Sequence, residues 1–279
     1  MPELPEVETV RQGLLQLVLK KEIASVDVFW PKIIALPEVE TFKRELVGQK
    51  IETINRRGKY LIFELSNYEL ISHLRMEGKY EFFSAEKNAE VTKHTHVIFH
   101  FNDGSQLQYR DVRKFGRMEL VLKGEAQNFK SIAQLGPEPT PETFKLAAFK
   151  ENLAKTKREI KPALLDQKMV TGLGNIYVDE ALWQAKIHPM QPCDTLTDLE
   201  IKQLRLAIID VLQRAVAAGG TTVRTYLNAL GEAGKFQLSL NVYGKTGQPC
   251  PRCQTPIEKI KVAQRGTHLC PHCQKLIMR

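Results

Sequence analysis

Residues 250–273 read CPRCQTPIEKIKVAQRGTHLCPHC. Two Cys-x-x-Cys pairs, Cys250/Cys253 and Cys270/Cys273, flank a segment of sixteen residues. This is the spacing of a four-thiolate zinc ribbon. Zinc favours a tetrahedron of soft ligands, and each knuckle bends the chain so that two sulfurs face one ion. Four protein ligands leave no position for water, so one structural Zn2+ is expected rather than a catalytic one. Free thiols or a redox pair are the competing reading, and His272 inside the second knuckle is a substitute ligand. Cys193 stands alone and reads as a bystander. Residues 235–279 hold eight Lys/Arg against one acid, Glu258, and so carry about +7 of the chain's +8. A basic patch confined to one segment points to phosphate contact.

The rest of the chain is more ordinary. It has 279 residues, 43% hydrophobic and 26% charged, which suggests two domains and excludes wholesale disorder. No apolar run reaches the ~20 residues a bilayer crossing needs. The opening MPELPEVETV is acidic and Pro-rich, unlike a secretory or transit signal. Paired cysteines of this kind belong to a reducing compartment, so a cytoplasmic, nucleoid-associated protein is expected.

Working back from the ribbon, Thr197-Asp-Leu-Glu200 is a capping box that opens a long helix ending at Gly219-Gly220. Thr171–Asn175 reads as a turn with a helix after it, and Pro162 opens a helix over Ala163–Val170. The run Gly136–Pro141 marks a linker. Before it the texture is β: Tyr60–Leu65, Leu70–Leu74, Tyr80–Phe83 and His96–Phe101 read as strands. Asn102-Asp103-Gly104 is a hairpin turn leading to Gln106–Tyr109. Residues 2–19 have helical spacing, with Pro5 tolerated in the first turn. The expected fold is α+β and multidomain. A β-sandwich with a leading helix (1–135) is followed by a linker (136–150), a helical domain (151–234) and the zinc ribbon (235–279).

Several motifs occur together in a recognisable order: MPELPEVETV at the start, RRGKYL at 56–61, SHLRMEG at 72–78 and DVRKFGR at 111–117. They are followed by IKPALLDQKMVTGLGNIYVDEAL at 160–182 and AQRGTHLCPHCQK at 263–275. Together they resemble the formamidopyrimidine-DNA glycosylase family over nearly the whole chain. The 160–182 stretch matches its helix–two-turn–helix segment. One departure is Val112, where the family commonly has Pro; this alters loop rigidity and leaves the neighbouring Arg and Phe in place.

The resemblance implies a bifunctional DNA glycosylase and AP lyase of base excision repair. Such an enzyme excises oxidised purines (8-oxoguanine and formamidopyrimidines) from duplex DNA, with DNA crossing a cleft between two domains. The partner is damaged double-stranded DNA; a monomer with no membrane association is expected. Pro2, exposed as a secondary amine once Met1 is removed, is the implied nucleophile at the sugar, followed by β,δ-elimination. Glu3 is implied as general acid/base, with Glu6 supporting it. Read without the resemblance, these carboxylates one turn apart on the first helix would merely complement its dipole. Lys59, opening a strand, is implied in β-elimination and phosphate binding; a solvated lysine is the alternative. Arg265 is implied in δ-elimination, though a guanidinium suits phosphate charge better than proton donation.

Extruding a nucleotide leaves a gap. The resemblance assigns its filling to Met76, Arg113 and Phe115; on residue type alone Met76 and Phe115 could equally be core, although the charges around them favour exposed loops. His73, His94, Asn175, Lys157 and Lys161 are the remaining expected DNA contacts. Lys155 and Lys157 bracket Thr156, where family members carry a Lys, and the contact could pass to either. His96 and His100 read as the polar face of a strand. The loop at 219–226 corresponds to one that closes over the extruded base. Two rivals remain: the sister family acting on oxidised pyrimidines, which more often has Gly at the position of Leu4, and a non-catalytic zinc-ribbon DNA-binding protein.

Overall fold

The structure, a computed structural model, describes residues 1–87, 89–221 and 235–277. The chain divides into two compact units, 1–133 with 219–234 and 134–218 with 235–279. Of the 219–226 loop, only Gly219–Thr221 lie within the described residues.

The first unit opens with α1 (Leu4–Val18). Val7, Val10, Leu14 and Val18 recur at helical spacing and are buried in the core of the unit. Glu3, expected inside this helix beside Glu6, is instead its N-cap. The Glu6 carboxylate accepts the Glu3 N–H at 2.8 Å, one half of a capping box. There follow β1 (Ile23–Val28), β2 (Ile34–Leu36), α2 (Val39–Leu46), β3 (Ile51–Arg57), β4 (Tyr60–Leu65) and β5 (Tyr68–His73). Next come β6 (Lys79–Phe83), β7 (Thr95–Phe101), β8 (Gln106–Arg110), β9 (Arg117–Leu122) and α3 (Lys130–Ala133). They form a four-stranded sheet, β1-β7-β8-β6, and a five-stranded sheet, β2-β9-β5-β4-β3. Residues two apart on a strand share a face. Val97, Phe99 and Phe101 of one sheet thereby join Ile54, Leu61, Phe63, Leu70 and Met118 of the other in a single core. This is the expected β-sandwich with a leading helix. The β7–β8 hairpin turns at Gly104, whose φ of 81° suits glycine.

The second unit contains α4 (Leu146–Ala154), α5 (Ile160–Leu165), α6 (Asn175–Ala185), α7 (Asp198–Ala217), β10 (Glu258–Val262) and β11 (Arg265–Leu269). Two expectations need correction here. Residues 146–150, assigned to the linker, begin α4, and Phe149 is buried against Phe144 with ring centroids 4.7 Å apart. The helix expected over Ala163–Val170 starts earlier and ends at Leu165. Pro162 occupies its third position, still within the turn that needs no N–H donor. Gln167 at φ 66° takes the chain out of the helix. Its side chain then donates to the Leu165 and Leu173 carbonyls and accepts the Gly172 N–H, fixing the turn before α6. The capping box at Thr197–Glu200 opens α7 as the sequence indicates. No helix among the described residues is long and apolar enough to cross a membrane.

Candidate functional site

In the first unit Pro2 and Glu3 are buried at the start of α1, while Met1 is 47% exposed. Glu6 is also buried; besides the Glu3 N–H, its carboxylate accepts the Thr221 N–H at 2.7 Å and the Thr221 hydroxyl at 3.0 Å. At Gly220 an added Cβ would come within 2.8 Å of the Glu6 carboxylate, so the chain passes close beside it. Lys59 does not open β4 as expected. It is the second residue of the two-residue turn Gly58-Lys59 between β3 and β4, and it is buried, which excludes the solvated reading. That hairpin is tied to α1 through Glu8, which pairs with Arg56 at 3.0 Å and with Arg11 at 2.6 Å. Burial pushes the Glu8 carboxyl up, but the bonds from Arg11, with Gln12 and Arg56, outweigh it and hold the group below its ordinary value. The sequence thus brings Pro2, Glu3 and Lys59 onto two elements locked to each other.

His73 ends β5, stacked edge-on against Tyr60 with centroids 4.4 Å apart, and its Nδ1 accepts the Arg75 N–H at 2.9 Å. Burial, then the charges of Arg75 and Lys59, push its imidazole down to about 3, so it is neutral at physiological pH.

The loops at 74–78 and 111–116 carry Met76, Arg113 and Phe115. With Met1, Arg75 and Arg117 these three line one pocket of about 400 Å³. Phe115 is 48% exposed, which answers the core alternative, and the Arg113 guanidinium lies over its ring at 4.7 Å. Met76 is half-buried. His94 lies just outside β7, and its carbonyl accepts the Asp111 N–H. His96, expected on the polar face of the strand, is buried, its Nε2 2.7 Å from the Asp111 carbonyl. His100 faces Asp27 at 2.8 Å. Asp111 is a residue that the sequence alone does not single out. It is buried, and its carboxylate accepts the N–H groups of Arg113, Phe115 and Gly116 at 2.9, 2.8 and 2.8 Å. An Asp two residues before the first functional side chain of a loop is the signal that could have found it.

In the second unit the four cysteine sulfurs lie within 4.8 Å of one another. Cys253–Cys270, Cys253–Cys273 and Cys250–Cys273 are separated by 3.4, 3.5 and 4.0 Å. A tetrahedron with Zn–S bonds of ~2.3 Å has edges of ~3.8 Å, so the donor set fits one structural zinc. Burial and the neighbouring sulfurs push the Cys273 thiol up to about 12, the penalty that a dication removes. His272 is exposed and no member of the cluster. Arg265 stands exposed at the start of β11, beyond the two-residue turn Ala263-Gln264, both residues at positive φ. The Asn175 amide donates to the Gly266 carbonyl at 2.9 Å, which places the α6 N-terminus beside that hairpin. Lys157 is exposed, whereas Lys155 pairs with Glu151.

Lys161, expected on DNA, is fully buried, and its ammonium donates to Asp179 at 2.6 Å, Thr267 at 2.8 Å and the Gly266 carbonyl at 3.4 Å. These bonds tie it to the zinc hairpin. Two carboxylates of α6 complete that attachment, and neither was singled out from the sequence. Asp179 accepts the His268 N–H, and Glu180 accepts those of Asn241, Val242 and Tyr243.

Comparison with known proteins gives three family matches in chain order. They are the formamidopyrimidine-DNA glycosylase N-terminal domain at residues 1–118, its H2TH domain at 135–227, and the zinc finger found in FPG and IleRS at 247–276. A formamidopyrimidine-DNA glycosylase of Enterococcus faecalis is 66% identical over 99% of this chain and 98% of its own length. One from Bacillus subtilis is 55% identical over 98% and 99%. Among solved structures, a point mutant of Lactococcus lactis FPG bound to Fapy-dG-containing DNA superposes with a TM-score of 0.92 at 49% identity. That match covers 98% of this chain and 100% of that one. The same protein bound to DNA with an abasic site also matches at 0.92. A chain matched along its length by all three domains, and two-thirds identical to a named member, belongs to the formamidopyrimidine-DNA glycosylase family.

Proposed function

We infer that this chain is a bifunctional DNA glycosylase and AP lyase of base excision repair. It excises oxidised purines from duplex DNA and cleaves the strand by β,δ-elimination. The observation that carries the reading is the shared pocket of Met1, Met76, Arg113 and Phe115. It sets the residue that must leave to expose the nucleophile beside the three suited to fill a vacated base position. The L. lactis relatives were solved with Fapy-dG and abasic DNA, a substrate and the product of base loss for this chemistry.

Once Met1 is removed, the Pro2 secondary amine attacks C1′ of the damaged nucleotide and the base departs with its electron pair. The sugar ring opens to an iminium, and successive loss of the 3′ and 5′ phosphates follows. Glu3 handles protons at the base and opened sugar. Lys59, buried and fixed through Arg56 and Glu8, serves the β-elimination. Arg265 and Asn175 grip phosphate from the second unit, with Lys157 as a further surface contact. His73, neutral at physiological pH, offers an uncharged hydrogen-bonding edge near the lesion, and His94 contacts DNA beside the loop of Arg113. The first unit holds the chemistry and the second, with its zinc ribbon, the grip. The protein works as a monomer on nucleoid DNA in the cytoplasm, without a membrane.

Borohydride reduction during turnover tests the reading. A covalent protein–DNA adduct mapping to a peptide that begins at Pro2 is expected. Trapping on Lys59, or trapping that survives an uncleaved extension before Pro2, would refute it.

A further inference from the structure

We propose that Asp111 is the positioning residue that sets the gap-filling loop in its working shape, an inference resting on the reading that Met76, Arg113 and Phe115 fill the vacated base position. Its carboxylate takes three backbone N–H groups of residues 113–116, two on one oxygen and one on the other. An ionised carboxylate holds such donors more strongly than a neutral acceptor. The Asp111 backbone is fixed from below as well, its N–H on the His94 carbonyl and its carbonyl against His96. The loop side chains point away from this anchor: Arg113, Lys114 and Phe115 are all exposed.

The second gap-filling loop is referenced to the same point. The Tyr109 hydroxyl, at the end of β8, lies where a Cβ on either loop would stand. A Cβ on Gly78 would come within 2.0 Å of it, and one on Gly116 within 1.9 Å. Both loops therefore close onto one buried ring, and glycine is required at both contacts. Phe115 and Met76 need to reach a duplex in a fixed register, and packing against the core cannot hold side chains that must stay exposed. Asp111 and Tyr109 supply that register from underneath.

The test is a double-mutant cycle between Asp111→Asn and Phe115→Ala. Excision of 8-oxoguanine is read in a paired duplex and, separately, in an unpaired strand. Asp111→Asn keeps the shape but replaces one acceptor oxygen with a donor facing the loop amides. It is expected to slow paired excision about tenfold or more and unpaired excision by about threefold or less. It should also narrow discrimination by the opposite base through Arg113, and slow paired excision clearly less in the Phe115→Ala background than in the parent. Equal losses on both substrates, or full additivity with Phe115→Ala, would overturn the proposal. If Phe115→Ala alone shows no paired–unpaired contrast, the gap-filling reading itself has failed and takes this role with it. Should the Asn variant not fold, hydrogen exchange on the parent protein decides. The Arg113, Phe115 and Gly116 amides must exchange about a hundredfold or more slower than free amides. Unprotected exchange there would dismiss Asp111 as their holder.

Discussion

Replacing Lys161 with Met separates the two roles available to this lysine, since a DNA contact and a buried strut respond in opposite ways. The parent side chain and its partner Asp179 are both fully buried, and their ion pair is 2.6 Å long. The ammonium finds a carboxylate, a hydroxyl and a carbonyl in reach. Met fills a similar volume but leaves the Asp179 carboxylate in the interior with the His268 N–H, at 2.9 Å, as the partner of its other oxygen. Removing one member of a buried pair typically costs about 3–5 kcal/mol, because the charge left behind has lost its compensation. For a unit of this size that corresponds to roughly 10–20 °C in melting temperature. The double variant Lys161→Met/Asp179→Leu should recover only part of the loss: apolar replacement of both partners of the pair is close to neutral, but the buried His268 N–H then loses its acceptor. The assay is urea and thermal unfolding with zinc content measured in parallel, so that destabilisation is not confused with metal loss. A Lys161→Met protein that melts within about 2 °C of the parent would refute the strut. If its DNA affinity fell at the same time and its salt dependence dropped by about one counterion, Lys161 would be a phosphate contact after all.

Zinc removal should act on one unit only: elemental analysis gives one zinc per chain, and chelation abolishes amide protection across 250–273 and weakens DNA binding. Amides of β4 and β5 should keep their protection, and their loss on chelation would contradict an independently folded sandwich. His73 predicts an acid sensitivity. Its imidazole stays neutral in the fold down to about pH 3, whereas the unfolded group takes its proton near ~6.5. Between those values the unfolded chain binds the extra proton, so stability is complete above about pH 6.5 and falls as pH drops toward 3. His73→Asn keeps an acceptor for the Arg75 N–H without this titration. Its unfolding free energy should decline less than the parent's between about pH 6.5 and 4, and identical slopes would show that His73 does not titrate on unfolding.

What the sequence revealed and what it hid follow from the range of the forces involved. The strands Tyr60–Leu65 and His96–Phe101 were legible because alternation and an Asn-Asp-Gly turn are local signals. The same holds for the capping box at Thr197 and the two cysteine knuckles. The short helix α2 is not legible because its pattern is spread over few apolar residues: only Phe42 and Leu46 of Val39–Leu46 are buried. The end of α5 is not legible because it is set by Gln167, whose side chain bonds across the following turn. The burial of Lys161 is hidden in the sequence for a related reason. A lysine beside a proline reads as surface, and its partners Asp179 and Thr267 lie 18 and 106 residues away in sequence. No periodicity reports a contact at that separation.

The same reasoning explains why the residues that place the site are carboxylates. Met76, Arg113, Phe115 and Arg265 must remain accessible if they are to meet DNA, so the burial of their own side chains cannot fix them. Their loops must be held by the backbone, and a turn leaves backbone N–H groups that no helix or strand satisfies. Glu6 at Thr221, Asp111 beneath Arg113–Gly116, Asp179 at His268 and Glu180 at Asn241–Tyr243 each take up such donors from a buried position. In a chain with net charge +8 that binds a polyanion, these acids are set inside rather than on the face that meets phosphate. Burial makes each of them sensitive to loss of its donors. Buried acids of this kind therefore mark where an exposed loop is anchored, and here they lie under the loop of Arg113–Gly116 and at the attachment of the zinc hairpin.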